Sequence, residues 1–240
     1  MATHQTQADL GNQLLAALPP PALDLLRRDL KDVTLDQGRV LFEPGSPLDT
    51  IYFPHTGLIS LLVLTRDGGA IETGTVGREG AVGLHGTLGP RMSFTRATAQ
   101  IPGKFSVIPA ARLSRLMDES SPIRALIQKY TEVLWAESQQ ATACNAAHDA
   151  AARLARWLLQ SSDRIGSDHI SLTQEFLAQM LGVRRTTVTL LAQALQTEGV
   201  IAYSRGQIHI VNRPALEARS CECYRVMKRD ALMPSIGIRF

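Results

Sequence analysis

The spacing of apolar residues changes character several times along this 240-residue chain, and each change predicts a different element. Residues 10 to 30 read as helical, with Pro19-Pro20-Pro21 dividing a first apolar segment from a second that contains Leu23, Leu25, Leu26 and Leu30. From about Val33 the pattern shifts to short runs punctuated by glycine and proline: Val40 to Phe42, Ile51 to Phe53, Leu58 to Leu64, Ala70 to Gly74, Ala97 to Ile101 and Lys104 to Ile108. Gly38, Gly45, Gly57, Gly68-Gly69 and Gly77 mark the corners. Short strands with turn signals at this density predict a β-sandwich or barrel.

A long helix follows. Ser120 or Ser121 can cap it and Pro122 suits its first turn. Ile123, Ile127, Tyr130, Leu134, Glu137, Ala141, Cys144 and His148 then repeat at alternating steps of four and three, the seam of a helix that pairs with another long helix. With no second such helix in the chain, the simplest partner is the same helix of a twin subunit; burial against the chain's own β-domain is the alternative. A further helix, Asp149 to Leu159, carries Leu154, Trp157 and Leu158 and leads through the polar stretch Ser161 to Asp168 into the C-terminal part.

That part holds the most specific pattern, Thr173 to Leu191. Thr173 stands before the apolar positions Phe176, Leu177, Met180 and Leu181, where its hydroxyl can cap a short helix. Gly182 supplies a sharp turn. A second helix from about Arg184 to Thr197 buries Val188, Leu191, Ala192 and Leu195 and leaves Arg184, Arg185, Thr186, Thr187 and Thr189 on its other face. Two arginines at a helix N-terminus oppose the macrodipole by about 0.3 to 1 kcal/mol each, so an external anion must compensate them. Phosphate oxygens and the O6/N7 edge of guanine are such partners, and a recognition helix presents its N-terminal residues to the major groove. Ile201 to Val211 then reads as a hairpin turning at Ser204-Arg205-Gly206, a basic wing beside the second helix. Gln174 and Arg205 are placed to grip the DNA backbone.

The charge distribution agrees. The net charge is only +3, but residues 1–144 hold 13 Lys+Arg against 14 Asp+Glu, whereas residues 145–240 hold 12 against 8. Positive charge collects where the helix-turn-helix lies. No run of 18 apolar residues exists and the first residues lack a basic-then-apolar leader, so a cytoplasmic protein without a membrane span is expected.

Enzymatic chemistry finds little support. A metal-dependent β-barrel enzyme needs converging histidines and a carboxylate, and only His55 and His85 fall in the β region. His4, His55, His85, His148, His169 and His209 show no metal-ligand spacing, so no metal site is expected. Cys144, Cys221 and Cys223 make no disulfide framework. Cys221 and Cys223 fall in a C-terminal helix opened near Asn212 to Pro214, where side chains two residues apart point to opposite sides and disfavour a mutual disulfide. They are retained as a candidate redox pair.

The order of parts resembles the Crp/Fnr superfamily of bacterial transcription regulators. Val40 to Phe53 (VLFEPGSPLDTIYF), Gly77 to Gly83 (GREGAVG) and Thr173 to Leu191 carry the resemblance, which spans nearly the whole chain. It implies an α+β protein: an N-terminal β-roll sensor of cyclic-nucleotide-binding type, residues 1–110; a dimerisation-helix region, 111–148; and a winged helix-turn-helix domain, 149–240. It also implies a homodimer on double-stranded DNA acting with RNA polymerase. Nucleotide-binding relatives use a Glu for the ribose and an Arg-Ser pair for the cyclic phosphate. Here the Glu position falls in Ala81-Val82-Gly83, Glu79 lies too early, Arg91 matches the phosphate Arg, and Met92 replaces the Ser. A missing charge-assisted hydrogen bond costs about 1.5 to 3 kcal/mol, which counts against cyclic AMP. Glu79, Gly80 and Arg91 are the candidate effector residues, and no cofactor is required. With no Cys before Cys144, the iron-sulfur mode of oxygen-sensing relatives is not expected. Better-known members place a Glu and an Arg at the positions of Thr186 and Leu190, so a different operator is expected. The alternative function is a cyclic-nucleotide or redox-responsive sensor module whose main role is signal binding.

Overall fold

The structure is a computed structural model and describes residues 11–66, 69–88 and 92–228. Two short helices, α1 (Gln13–Ala16) and α2 (Pro20–Arg27), open it. The buried side chain of Asn12 starts α1 by accepting from Leu15 N at 3.0 Å, and its Nδ2 donates to the carbonyls of Pro54 and Gly80 at 2.8 and 2.9 Å. Seven strands follow: β1 (Lys31–Leu35), β2 (Val40–Phe42), β3 (Thr50–Pro54), β4 (Leu58–Leu64), β5 (Ala70–Val76), β6 (Arg96–Ile101) and β7 (Gly103–Pro109), with the short helix α3 (His85–Leu88) between β5 and β6.

The strands form two antiparallel sheets, β1-β7-β3 and β2-β6-β4-β5. Phe42, Ile59, Val76 and Ala97 from the second sheet meet Phe105 from the first, with Leu48 and Val82 from the connections, in an apolar layer. This is the expected β-roll, with β1 added. On the outer side of the three-stranded sheet, Ile51, Phe53 and Ile108 pack against α1, α2, α4 (Ala110–Glu119) and the first half of α5 (Ser121–Ala147).

Pro122 sits in the first turn of α5 as expected, whereas Ser120 occupies the N-cap without a side-chain bond. The seam along α5 does not await a twin. Ile123, Ile127 and Tyr130 belong to the sensor's own core, Glu137 meets a buried arginine, and Ala141 and Cys144 pack against the C-terminal helix. A seven-residue repeat reports that a stripe is buried and says nothing about what covers it. The outward stripe is instead Ala125, Gln128, Glu132, Trp135, Gln139, Thr142 and Ala146, all exposed.

Helix α6 (Ala150–Ile165) starts on the Asp149 side chain, which accepts from Ala152 N, and ends at Gly166. It runs through Ser161, Ser162 and Arg164, which the sequence suggested as a polar connection; all three are buried. Beyond it lie β8 (His169–Ser171), α7 (Gln174–Leu181), α8 (Arg185–Thr197), β9 (Ile201–Ser204), β10 (Gln207–Ile210), α9 (Arg213–Arg219) and α10 (Cys223–Met227). The hairpin extends to the sheet β8-β10-β9. Leu58 and Ile101 of the β-roll join the core of this unit, so the C-terminal part is docked on the sensor. No helix among the described residues is long and apolar enough to cross a membrane.

Candidate nucleic-acid interface

Thr173 caps α7 by accepting from Phe176 N at 3.4 Å, and Gly182 ends it in the left-handed conformation, φ +62°. A residue with a Cβ pays to adopt that angle, so the tight turn falls on glycine. Arg184 is the N-cap of α8, with no side-chain cap bond and no acidic residue in the first turn. The helix begins one residue later than its sequence pattern suggests. Leu177, Met180 and Leu181 of α7 and Val188 and Leu195 of α8 lock the pair onto the hairpin through Ile201 and Ile208.

Arg184, Arg185 and Thr186 are exposed, and Thr187 and Thr189 are half-buried. The Thr189 hydroxyl lies 3.0 Å from both Gln174 Oε1 and the Arg185 carbonyl. Thr189 therefore couples α8 to α7 through Gln174. Arg185, Thr189, Gln193 and Gln196 share one face of α8 and, with Gln174, Tyr203 and the wing tip, line a single concavity. Gln193, Gln196 and Tyr203 were not singled out from the sequence, although the steps from Arg185 to Thr189, Gln193 and Gln196 place them on its helical face. The Tyr203 phenol is pushed up by burial, with Arg185 opposing. Leu190 is 66% exposed on the same helix.

The wing turns through Arg205 and Gly206 with φ +50° and +76°, the positive values that a two-residue hairpin of type I′ requires. Arg205 is the one non-glycine residue with positive φ among the described residues. Left-handed backbone costs about 1 to 2 kcal/mol for such a residue, and Asn or Gly would hold the turn with less strain. The basic side chain stays exposed at the tip.

The sensor's candidate residues are otherwise engaged. Glu79 is buried, accepts from Gly77 N at 2.9 Å and faces Arg164 Nε at 3.5 Å. Gly80 packs beneath Tyr130, whose hydroxyl would lie 1.8 Å from an added Cβ. Both residues thus serve the contact between the β-roll and the helices. Arg91 lies outside the described residues.

Cys221 and Cys223 correct the sequence reading. The helix breaks after Arg219, with Ser220 extended at φ −76°, ψ 153°, so the two side chains do not diverge around one helix. Both are buried, and with Cys144 and His148 their ligand atoms lie within 4.8 Å of one another. The histidine spacing gave no sign of this because the three other side chains are cysteines, and two of them come from a segment far along the chain.

Residues 152–219 match the family model of the Crp-like helix-turn-helix domain, and residues 32–120 that of the cyclic nucleotide-binding domain. The transcriptional regulatory protein btr of Bordetella pertussis is 25% identical over 90% of this chain and 93% of its own. The global nitrogen regulator of Synechocystis sp. is 23% identical over 86% of this chain and 90% of its own. FixK2 from Bradyrhizobium japonicum shares the fold with a TM-score of 0.70 at 18% identity, over 80% of this chain and 98% of that one. A β-roll sensor followed by a winged helix-turn-helix defines a class of DNA-binding regulator. The two matched domains together cover well over half of the chain in that order, and the chain belongs to the Crp/Fnr superfamily of transcription regulators.

Proposed function

We propose that this regulator works in the cytoplasm as a homodimer, without catalysis, on a pseudo-palindromic operator, each α8 entering a major groove with half-sites about 34 Å apart. The observation that carries the reading is the exposed Arg184-Arg185-Thr186 end of α8 beside the same concavity as Gln174 and Arg205. Arg185 reads a base, guanine by the geometry of its fork. Arg184, Thr186 and Thr187 add base or phosphate contacts, and Thr173, Gln174 and Arg205 hold the backbone. Thr189 contributes by fixing Gln174.

The dimer forms through the outward stripe of α5. Its residues are small or uncharged apart from Glu132, so two helices can approach closely, and Trp135 is 69% exposed at its middle. RNA polymerase is the partner through which bound operator changes transcription. Cyclic AMP is disfavoured as the effector because Glu79 is committed to Arg164 and Met92 offers no hydroxyl.

Selection of bound duplexes from a random library with the purified chain tests this reading. A palindromic consensus is expected. A mononucleotide-like preference without symmetry, or no enrichment with or without cyclic AMP and under reducing or oxidising conditions, overturns it.

A further inference from the structure

Where the last turn of α5 meets the start of α10, four side chains of metal-ligating type converge. Cys144 and His148 stand four residues apart, one turn of helix, and so share a face of α5 and its cap. Cys221 and Cys223 approach from the segment that opens after Ser220. Cys144 Sγ lies 3.5 Å from Cys221 Sγ, and Cys223 Sγ lies 3.7 Å from His148 Nδ1. All four ligand atoms fall within 4.8 Å of one another.

These separations distinguish among the uses of cysteine. A disulfide brings its sulfurs to about 2.05 Å, well inside the 3.5 Å seen here. A tetrahedral zinc ion with Zn–S of about 2.3 Å and Zn–N of about 2.0 to 2.1 Å sets its ligand atoms about 3.5 to 3.8 Å apart along each edge. An iron-sulfur cluster spreads its ligands over two or more irons around an inorganic core, so ligands on different irons stand further apart than the four atoms here. Three sulfurs and one imidazole, with no oxygen donor in the group, select a borderline-soft ion over magnesium or calcium. We propose that Cys144, His148, Cys221 and Cys223 form a closed zinc site that joins the end of the long helix α5 to the last helix of the DNA-binding domain.

The surroundings supply what such a site needs beyond its ligands. His148 Nε2 lies 3.1 Å from Glu222 Oε1. A proton on Nε2, donated to that carboxylate, leaves the Nδ1 lone pair directed at the metal, the carboxylate–histidine–zinc arrangement that fixes tautomer and ring orientation. Gln140 Nε2 donates to Cys223 Sγ at 3.0 Å, a bond that favours the thiolate. Three thiolates, one neutral imidazole and Zn²⁺ sum to one negative charge. Burial holds the Cys144 and Cys221 thiols above their ordinary pKa, and the buried guanidinium of Arg156 opposes this and offsets part of that negative charge. Binding replaces three S–H bonds by three S–Zn bonds and releases three protons to solvent, without oxidant or reductant.

With four protein ligands the ion keeps no open position, so its role is structural. It closes the chain across α6 to α9 and fixes the winged helix relative to α5. This inference does not depend on the assignment of any DNA-contacting residue.

The test is metal analysis of the untagged full-length chain purified without chelator, followed by cobalt substitution. One zinc per chain is expected, and the Co²⁺ form should show the intense visible bands of a tetrahedral centre with a thiolate charge-transfer band in the near ultraviolet. C223S and H148A should each lose most of the zinc. If these variants fail to fold, the wild-type cobalt spectrum decides on its own. A folded wild-type chain that takes up no zinc after incubation with it, or a weak octahedral cobalt spectrum, overturns the proposal. So does a Cys144–Cys221 disulfide persisting in protein kept under reductant.

Discussion

Arg164 of α6 donates from Nη2 to Glu137 Oε2 of α5 at 3.1 Å, with both side chains more than nine-tenths buried. The same guanidinium lies 3.5 Å from Glu79 and donates to the Thr75 carbonyl at 2.6 Å. One side chain thus ties the DNA-binding unit to the sensor strand β5, to the Gly77 to Gly83 stretch and to the long helix. Burial works against its charge, and the carboxylates of Glu137 and Glu79 more than offset that, holding it above its ordinary pKa.

Removing Arg164 should therefore be severe. R164A leaves two buried carboxylates without their cation, a loss of about 3 to 5 kcal/mol, read as a fall in the denaturant midpoint. R124A, which breaks an exposed pair with Asp118 at 3.4 Å, should cost about 0 to 1 kcal/mol. Similar losses in the two variants would show that Arg164 does not organise the interface.

Glu72 makes the same interface sensitive to pH. Its carboxylate accepts from Trp157 Nε1 of α6 at 3.0 Å and from Ser60 at 2.5 Å. Burial raises its pKa from 4.5 to about 7, with the bond from Ser60, the charge of Arg156 and the bond from Trp157 opposing in part. The folded chain then retains a proton that the unfolded chain releases, so this contribution to stability is complete below pH 4.5 and is lost as pH rises to about 7. Unfolding midpoints measured across that window should decline for the wild type and flatten for E72Q. Identical slopes would remove Glu72 as the cause.

The sequence showed those parts of the molecule whose chemistry is local. Thr173, Gly182, Arg184, Arg185 and the Ser204-Arg205-Gly206 turn lie within one supersecondary unit, and caps, glycines and periodicity specify them directly. Strand β1 escaped notice because Lys31 to Leu35 buries nothing fully and its partner β7 lies far along the chain. The C-terminal end of α6 escaped because Ser161, Ser162 and Arg164 are polar and buried, and Ser162 and Arg164 meet partners far away in sequence, Arg213 for the first and Thr75 and Glu137 for the second. The same reason hid the convergence of Cys144 and His148 with Cys221 and Cys223. Spacing along one helix reveals two ligands at most.

The roles of Arg185 and Arg205 separate in a binding assay. R185A should cost about 1 to 3 kcal/mol and relax preference at one operator position, because it removes a base contact. R205N should weaken all sequences alike and reduce the salt slope by about one charge. Because asparagine tolerates the left-handed angle at this tip, R205N should not lower stability. Uniform weakening by both variants would mean that Arg185 contacts phosphate only.

The face used for dimerisation can be decided by charge. The apolar seam of α5 is spent within the chain, on the sensor core, on Arg164 and on α10. Trp135 stands on the opposite stripe with Ala125, Gln128, Glu132, Gln139, Thr142 and Ala146. A tryptophan at the centre of an interface contributes about 2 kcal/mol or more, and in a symmetric pair of helices a charge placed there meets its own copy. W135E should raise the dimer dissociation constant by about 30-fold or more while leaving the monomer's unfolding cooperative, since the side chain packs against little of its own chain. Sedimentation equilibrium across a concentration series reads this directly. A W135E chain that remains dimeric at wild-type concentrations would place the contact elsewhere, and operator affinity would then stay unchanged as well.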